Sequence, residues 1–234
     1  MVDTDVGRVQ YAASNTRVLV FEDSIEARLL YHPDRSFAIE ASIDLVKGAK
    51  YFDKKPPMHF HVQEEYIECI QGKLGLELDG VEYILTPTHG RVSIKPYTNH
   101  RSYPMPLSTQ ENGNTVVKFL LSGEKTDSVF ELSPVFFENW YRYQDDVIVN
   151  GAKISSFQLF STFDAGGSYV SVPPWVPFGQ TISITLGVVV GRWLGGLLGY
   201  QPFYRKWTTD WDLACEKMEK SFFQRRFADR TKTQ

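Results

Sequence analysis

A short alternating run followed by a tight turn constrains the fold of this chain more than any other feature. Residues 74–78 read LGLEL, so apolar side chains recur at every second position and form one face of a strand. Asp79 and Gly80 follow, a pair that tolerates positive φ, and the chain returns through the apolar residues 81–85. The pattern predicts a β-hairpin, which places the surrounding sequence in an antiparallel sheet.

The order of the other patterns extends this interpretation to the whole chain. Apolar runs broken by turn-rich stretches predict further strands within residues 17–50, 92–95 and 116–122. After Gly123 the sequence pattern becomes typical of helices. Ser133-Pro134 is typical of a helix start, and the first helical pattern ends at Asn150-Gly151. Further helices are predicted within residues 154–163, 181–199 and 210–226. We therefore expect an α+β, mainly β fold, with an antiparallel β-barrel in residues 1–122 and a helical extension in 123–234.

Charge and cysteine content narrow the environment and the partners. The chain has 234 residues, a hydrophobic content of 42% and a formal net charge of −3. It also lacks a long run of Lys and Arg, so nucleic acid is not an expected partner. The two cysteines, Cys69 and Cys215, are too few for a disulfide framework, and residues 1–8 do not resemble a secretion signal. We expect a cytoplasmic protein.

The segment that carries chemistry is PPMHFHVQEE, residues 56–65. His59, His61 and Glu65 share parity, so on a strand their side chains would project from one side. His100 follows the hairpin and a further strand, which in an antiparallel barrel can return beside the first pair. Three imidazoles and a carboxylate suit a divalent transition metal: Fe, Mn, Ni, Cu or Zn.

These residues resemble the cupin superfamily. The first cupin motif is Gly-x5-His-x-His, three or four residues, Glu, six residues and Gly; His59, His61, Glu65 and Gly72 fit it, with Asp53 in place of the leading glycine. In the second motif Gly90 and Pro96 match, His100 comes one residue early, Thr98 replaces a glycine, and Pro104 stands where asparagine is expected. The resemblance covers about residues 17–122 and implies a double-stranded β-helix with a three-His, one-Glu metal site.

The last third resembles a narrower group. Residues 199–204 (GYQPFY) and 208–215 (TTDWDLAC) are similar to the tail of single-cupin proteins of fungal secondary-metabolite gene clusters. This resemblance implies an enzyme that oxidises, cyclises or isomerises a hydrophobic polyketide-like or terpenoid-like intermediate. We favour oxygenation with Fe(II). The alternatives are a non-redox cyclase, isomerase or dehydratase, and a small-molecule-binding module without turnover.

Three further residues are candidates for work at the site. Gln63 has the parity of the metal ligands and would orient a bound water or a substrate oxygen; its alternative role is that of an ordinary polar strand residue. Arg101 and Tyr103 flank His100 and would meet an anionic or phenolic substrate. Their alternative role is that of surface residues on the following strand.

Residues 181–199 are almost entirely apolar, with glycines at 187, 191, 195 and 199 and one charge, Arg192. This length only just reaches that of a membrane span, and a mid-bilayer Arg costs about 2.5–3.5 kcal/mol. We expect the glycine face to pack against protein, as a lid or a homodimer contact. Attachment to a membrane surface and a spanning helix are the alternatives.

Overall fold

A computed structural model describes residues 12–111 and 113–231 of the chain, so the first eleven residues of the expected barrel unit lie outside the described residues. The strands are β1 (Ala12–Val20), β2 (Ile25–Tyr31), β3 (Arg35–Asp44), β4 (His59–His61), β5 (Glu65–Gln71), β6 (Leu74–Leu78), β7 (Val81–Leu85), β8 (Arg91–Ile94), β9 (His100–Pro104), β10 (Val116–Glu124) and β11 (Ser168–Val170). The helices are α1 (Pro134–Ile148), α2 (Ser156–Ala165), α3 (Gly179–Leu198) and α4 (Trp211–Glu219). Single 3-10 turns lie at Pro87–His89, Leu107–Thr109, Arg205–Trp207 and Arg225–Phe227.

The strands form two antiparallel sheets, and most successive strands from β3 onward alternate between them. One is six-stranded, in the order β1-β2-β3-β10-β5-β8, and the other is five-stranded, in the order β11-β4-β9-β6-β7. From β3 to β10 the chain changes sheet at every connection except the β6–β7 hairpin. This order is that of a double-stranded β-helix. The expected α+β, mainly β fold is therefore confirmed.

The predicted hairpin has the turn that its sequence requires. β6 pairs with β7 from Leu74 opposite Leu85 to Leu78 opposite Val81. Asp79 and Gly80 both have positive φ, 46° and 86°. Such a turn matches the right-handed twist of the two strands, which is why an Asp-Gly pair fixes the register here.

The apolar core draws side chains from both sheets. Phe119 lies opposite Ala41 on one side and Cys69 on the other, and all three are buried. The second sheet contributes Leu74 and Leu76, which are fully buried. Each large side chain buried in this way stabilises the fold by about 1.5–3 kcal/mol. The core also reaches Ile94, which lies opposite Glu65, so it extends to the strand that carries this carboxylate.

The C-terminal third is helical, with two departures from the sequence-based expectation. α1 begins as predicted: Ser133 caps it by accepting from the Phe136 amide, and Pro134 follows. The last helix ends at Glu219, well before the expected 226; turns occupy residues 220–224, and the 3-10 turn Arg225–Phe227 follows. Strand β11 was not foreseen; it pairs with β4, and its three residues are too few to show an alternating pattern.

The glycine face of α3 packs against α2, so it contacts protein rather than lipid, as expected. A Cβ at Gly191 would lie 2.4 Å from the Phe160 carbonyl, so the two helices touch backbone to backbone. Arg192, in the π-helical middle of α3, donates to the fully buried Asp164 through Nε (2.6 Å) and Nη2 (2.8 Å). The α3 charge is thus neutralised within the protein. By length and composition alone α3 could cross a membrane.

Candidate metal centre

Three of the predicted ligands converge between the two sheets. The Nε2 atoms of His61 and His100 each lie 3.3 Å from the Oε2 atom of Glu65. One donor atom from each residue lies within 4.8 Å of the others, and all three side chains are buried. The two histidines come from neighbouring strands of the five-stranded sheet, and Glu65 comes from the facing sheet.

Backbone carbonyls determine which ring nitrogen of each histidine faces this cluster. His61 Nδ1 donates to the Gln63 carbonyl at 2.5 Å, and His100 Nδ1 donates to the Thr98 carbonyl at 2.8 Å. A carbonyl only accepts, so each Nδ1 carries the proton and each Nε2 offers its lone pair. Histidines that ligate a metal are held in the same way by a second hydrogen bond.

The cluster fits a bound cation. Both Nε2 atoms are buried, and neither has a hydrogen-bond partner within the part of the chain that the structure describes. Burial raises the pKa of Glu65, whereas positive charge at the positions of His61 and His100 lowers it below its ordinary value. Two lone pairs facing a carboxylate across 3.3 Å are electrostatically unfavourable unless a positive charge lies among them.

His59 borders the cluster. It pairs directly with His100 across β4 and β9, with ring centroids 4.4 Å apart, while 6.2 Å separates its ring from that of His61. Burial, followed by the neighbouring His100 and His61, lowers the pKa of His59 to about 3. Its ring is therefore neutral at physiological pH, the form in which imidazole binds a metal.

The comparisons identify relatives that match nearly the full length. No protein-family model matches the chain. The probable oxidoreductase yanE of Aspergillus niger is 41% identical over 227 residues, which are 94% of this chain and 87% of yanE. The chain belongs to this fungal cupin family. The oxidoreductase macE of Penicillium terrestre is 40% identical over 94% of this chain and 86% of macE, and the epoxidase atD of Aspergillus terreus is 38% identical over 74% of this chain and 53% of atD.

Solved structures resemble the barrel more distantly. KdgF from Halomonas sp. is 17% identical over 50% of this chain and 94% of its own, with a TM-score of 0.35. The polyketide cyclase RemF from Streptomyces resistomycificus is 21% identical over 54% of this chain and 83% of its own, with a TM-score of 0.32. The strand order described above defines the fold of this cupin.

Gln63 is not brought into the metal cluster of this cupin, contrary to the sequence-based expectation. The chain crosses between the sheets at residues 62–64, so strand parity does not carry through from His61. The Gln63 amide instead donates to Ser36 Oγ at 2.5 Å and to the Glu124 carbonyl, and its Oε1 accepts from the Leu132 amide at 3.0 Å. The Gln63 side chain thus holds the segment before α1 in place through hydrogen bonds, while its backbone carbonyl orients His61.

Arg101 and Tyr103 also lie away from the cluster, which corrects their expected place in a substrate pocket. They alternate with His100 and Ser102 on β9 and belong to the opposite face of the sheet. Arg101 donates to Glu77 through Nε (2.9 Å) and Nη2 (2.7 Å). The Tyr103 hydroxyl donates to Glu82. Their polar atoms form a surface network on the cupin barrel.

The aromatic start of α1 packs beside the strands that carry Glu65 and Phe37, and the sequence had not indicated that it belongs to the site. Gly123 on β10 lies between Glu65 and Phe37, and the Phe37 ring contacts Phe137 with centroids 4.7 Å apart. Tyr141, one turn further along α1, follows Phe137 at 6.5 Å. Burial, assisted by the charge of Glu65, raises the pKa of Tyr141 to about 12. The i, i+4 spacing of Phe137 and Tyr141 was the sequence feature that could have indicated an aromatic face of α1 at the site.

Proposed function

We propose that this protein is a metal-dependent cupin oxygenase of fungal secondary metabolism that acts on a hydrophobic polyketide-like or terpenoid-like small molecule. The observation that carries the proposal is the pair of buried Nε2 lone pairs aimed at an ionised Glu65. Oxidoreductase and epoxidase names among the relatives support an oxidative reaction.

The donor set favours Fe(II). His61, His100 and Glu65 provide two neutral imidazoles and one carboxylate, the combination typical of non-haem Fe(II) oxygenases, and His59 stands beside them. Mn, Ni, Cu and Zn accept the same donors. Bound there, Fe(II) supplies redox chemistry with O2 and open positions for a substrate oxygen.

The remaining residues define what the chain itself contributes. The Gln63 and Thr98 carbonyls hold the two imidazoles in a fixed tautomer, so no proton must move before a ligand binds. The Phe37, Phe137 and Tyr141 rings form an apolar wall beside Glu65, which excludes water and favours an apolar substrate. The charge of Glu65 acts on the Tyr141 hydroxyl, which makes this hydroxyl a candidate donor to a substrate oxygen.

The test combines metal analysis with oxygen uptake. Protein stripped with a chelator is reloaded without air with Fe(II), Mn(II) or Zn(II), and oxygen consumption is measured with a panel of hydrophobic phenols and quinones. We expect consumption with Fe(II) alone, coupled to product formation. Turnover that survives chelation, or that proceeds equally with Zn(II) and without oxygen, would instead establish a cyclase or isomerase.

A further inference from the structure

The outer face of α3 is apolar and exposed along the helix. Its glycine face is buried on α2, but Ile182, Leu186 and Trp193 point outward on the opposite side, and Leu197 and Leu198 are 63% and 64% exposed. Within the described part of the chain these side chains stay exposed to solvent, although Phe223 contacts one edge of Trp193. A 20-residue helix is about 30 Å long, so the exposed stripe extends across much of this face of the protein.

Exposed aromatic side chains stand at both ends of this stripe. Trp175 and Phe178, immediately before α3, are 81% and 83% exposed. At the other end the exposed Phe222 ring contacts Phe223, which in turn contacts Trp193 at 6.0 Å. We call the stripe and these flanking rings the α3 face. Aromatic rings at the ends of an apolar surface are typical of contact with the interfacial region of a bilayer.

Two exposed arginines flank the C-terminal end of the α3 face. Residues 165–209 contain no Asp or Glu, and the one charge within α3, Arg192, is neutralised by the buried Asp164. Arg225 and Arg226 are exposed beside the C-terminal end of α3, where Arg226 Nη2 donates to the Leu197 carbonyl at 3.0 Å. Within the described part of the chain their guanidinium groups lie over aromatic rings, Arg225 over Phe222 and Arg226 over Phe227, rather than beside a carboxylate.

We propose that the α3 face binds the surface of a membrane that contains anionic lipids, with α3 lying parallel to the bilayer plane. The apolar stripe would enter the boundary between headgroups and acyl chains, and Arg225 and Arg226 would meet the lipid phosphates. A spanning orientation conflicts with the packing of Gly191 on α2 and with the Arg192–Asp164 ion pair. If a second copy of the chain bound the same face, its arginines would meet those of the first copy, and residues 165–209 would supply no carboxylate to pair with them. Anionic lipid phosphates supply that opposite charge, so the charge distribution favours the lipid surface.

Vesicle flotation of the full chain tests this proposal. The probes are vesicles of phosphatidylcholine alone and vesicles with about 30 mol% phosphatidylserine, at about 0.15 M salt. The test variant is Leu197→Glu/Leu198→Glu. The matched control is Val46→Glu/Val81→Glu, which adds the same charge at two exposed apolar positions, 58% and 54% exposed, outside the C-terminal third. Arg225→Ser/Arg226→Ser tests the charge contribution, and circular dichroism verifies the fold of each variant.

We expect the wild type and the control to float with the phosphatidylserine vesicles and to be released by sodium carbonate. The Leu197→Glu/Leu198→Glu variant should bind at least tenfold more weakly, and the arginine variant should lose the preference for phosphatidylserine. Absence of flotation overturns the proposal, as does equal loss in the control. A homodimer that the Leu variant dissociates, without flotation, assigns the face to a second copy, and resistance to carbonate assigns α3 to a spanning helix.

Discussion

Arg192 and Asp164 form a two-point ion pair between α3 and α2, with Asp164 fully buried and Arg192 mostly buried. The guanidinium also stacks 3.6 Å from the centroid of the Phe130 ring. The one charge of an otherwise apolar helix thus fixes that helix to the protein.

Asp164→Asn should lower the free energy of unfolding by about 3 kcal/mol, because it leaves the Arg192 charge largely buried without a counter-charge. Urea unfolding measures the change. Glu216→Gln, which removes the exposed Lys220 partner, is the control and should cost less than about 1 kcal/mol. Equal losses of unfolding free energy in the two variants would show that the buried ion pair stabilises the protein no more than an exposed one.

Gly191→Ala should destabilise the protein by about 1–3 kcal/mol, since its Cβ would lie 2.4 Å from the Phe160 carbonyl, a backbone atom that cannot rotate away. The same loss should not occur in Leu197→Ala, on the exposed side of the same helix. Thermal unfolding of both variants compares the two faces. A stable Gly191→Ala protein would contradict close packing of α3 on α2.

His61→Ala should abolish stoichiometric metal binding while changing the stability of the metal-free protein little, because without a cation the His61 lone pair faces the Glu65 carboxylate unfavourably. Metal analysis by mass spectrometry measures occupancy. His89→Ala, at an exposed turn, is the matched control and should retain the metal. In a metal-loaded crystal the donor atoms should lie about 2.0–2.3 Å from the ion. Full occupancy in His61→Ala would remove that residue from the ligand set.

Gln63→Leu should destabilise the protein by about 1–3 kcal/mol, because it leaves the buried Leu132 amide and the Glu124 carbonyl without their partner. The His61 hydrogen bond goes to the backbone of residue 63 and survives the substitution. Activity per bound metal should therefore remain close to that of the wild type. A large loss of kcat at full metal occupancy would restore Gln63 to the reacting centre.

Tyr141→Phe should keep the ring contact with Phe137 and leave metal occupancy unchanged, but lower kcat by about 10²-fold if the hydroxyl transfers a proton to the substrate. Tyr143→Phe is the matched control on the same helix, since its hydroxyl bonds the Ser155 backbone. Steady-state kinetics of both variants separate kcat from KM. An unchanged kcat in Tyr141→Phe would limit this residue to packing.

Local patterns were sufficient wherever neighbouring residues decide the conformation. The Leu74–Leu78 alternation and the Asp79-Gly80 turn determine a hairpin, and Ser133-Pro134 determines the start of α1, because φ preferences and capping hydrogen bonds act within a few residues. The His-x-His spacing likewise indicated where a cluster of potential metal ligands lies. These features needed no knowledge of the rest of the chain.

Only the tertiary structure decided which residues meet at the site. Glu65 reaches His61 from the facing sheet because the chain crosses over at residues 62–64, and the same crossing turns Gln63 away from the ligands. Tyr141 arrives from a helix that follows in the sequence, and Arg192 finds its counter-charge in α2. Strand parity and helix periodicity describe one element at a time. Contacts between elements depend on where the chain changes sheet and on how closely two backbones approach, as at Gly191. A repeat pattern within one strand or helix contains neither kind of information.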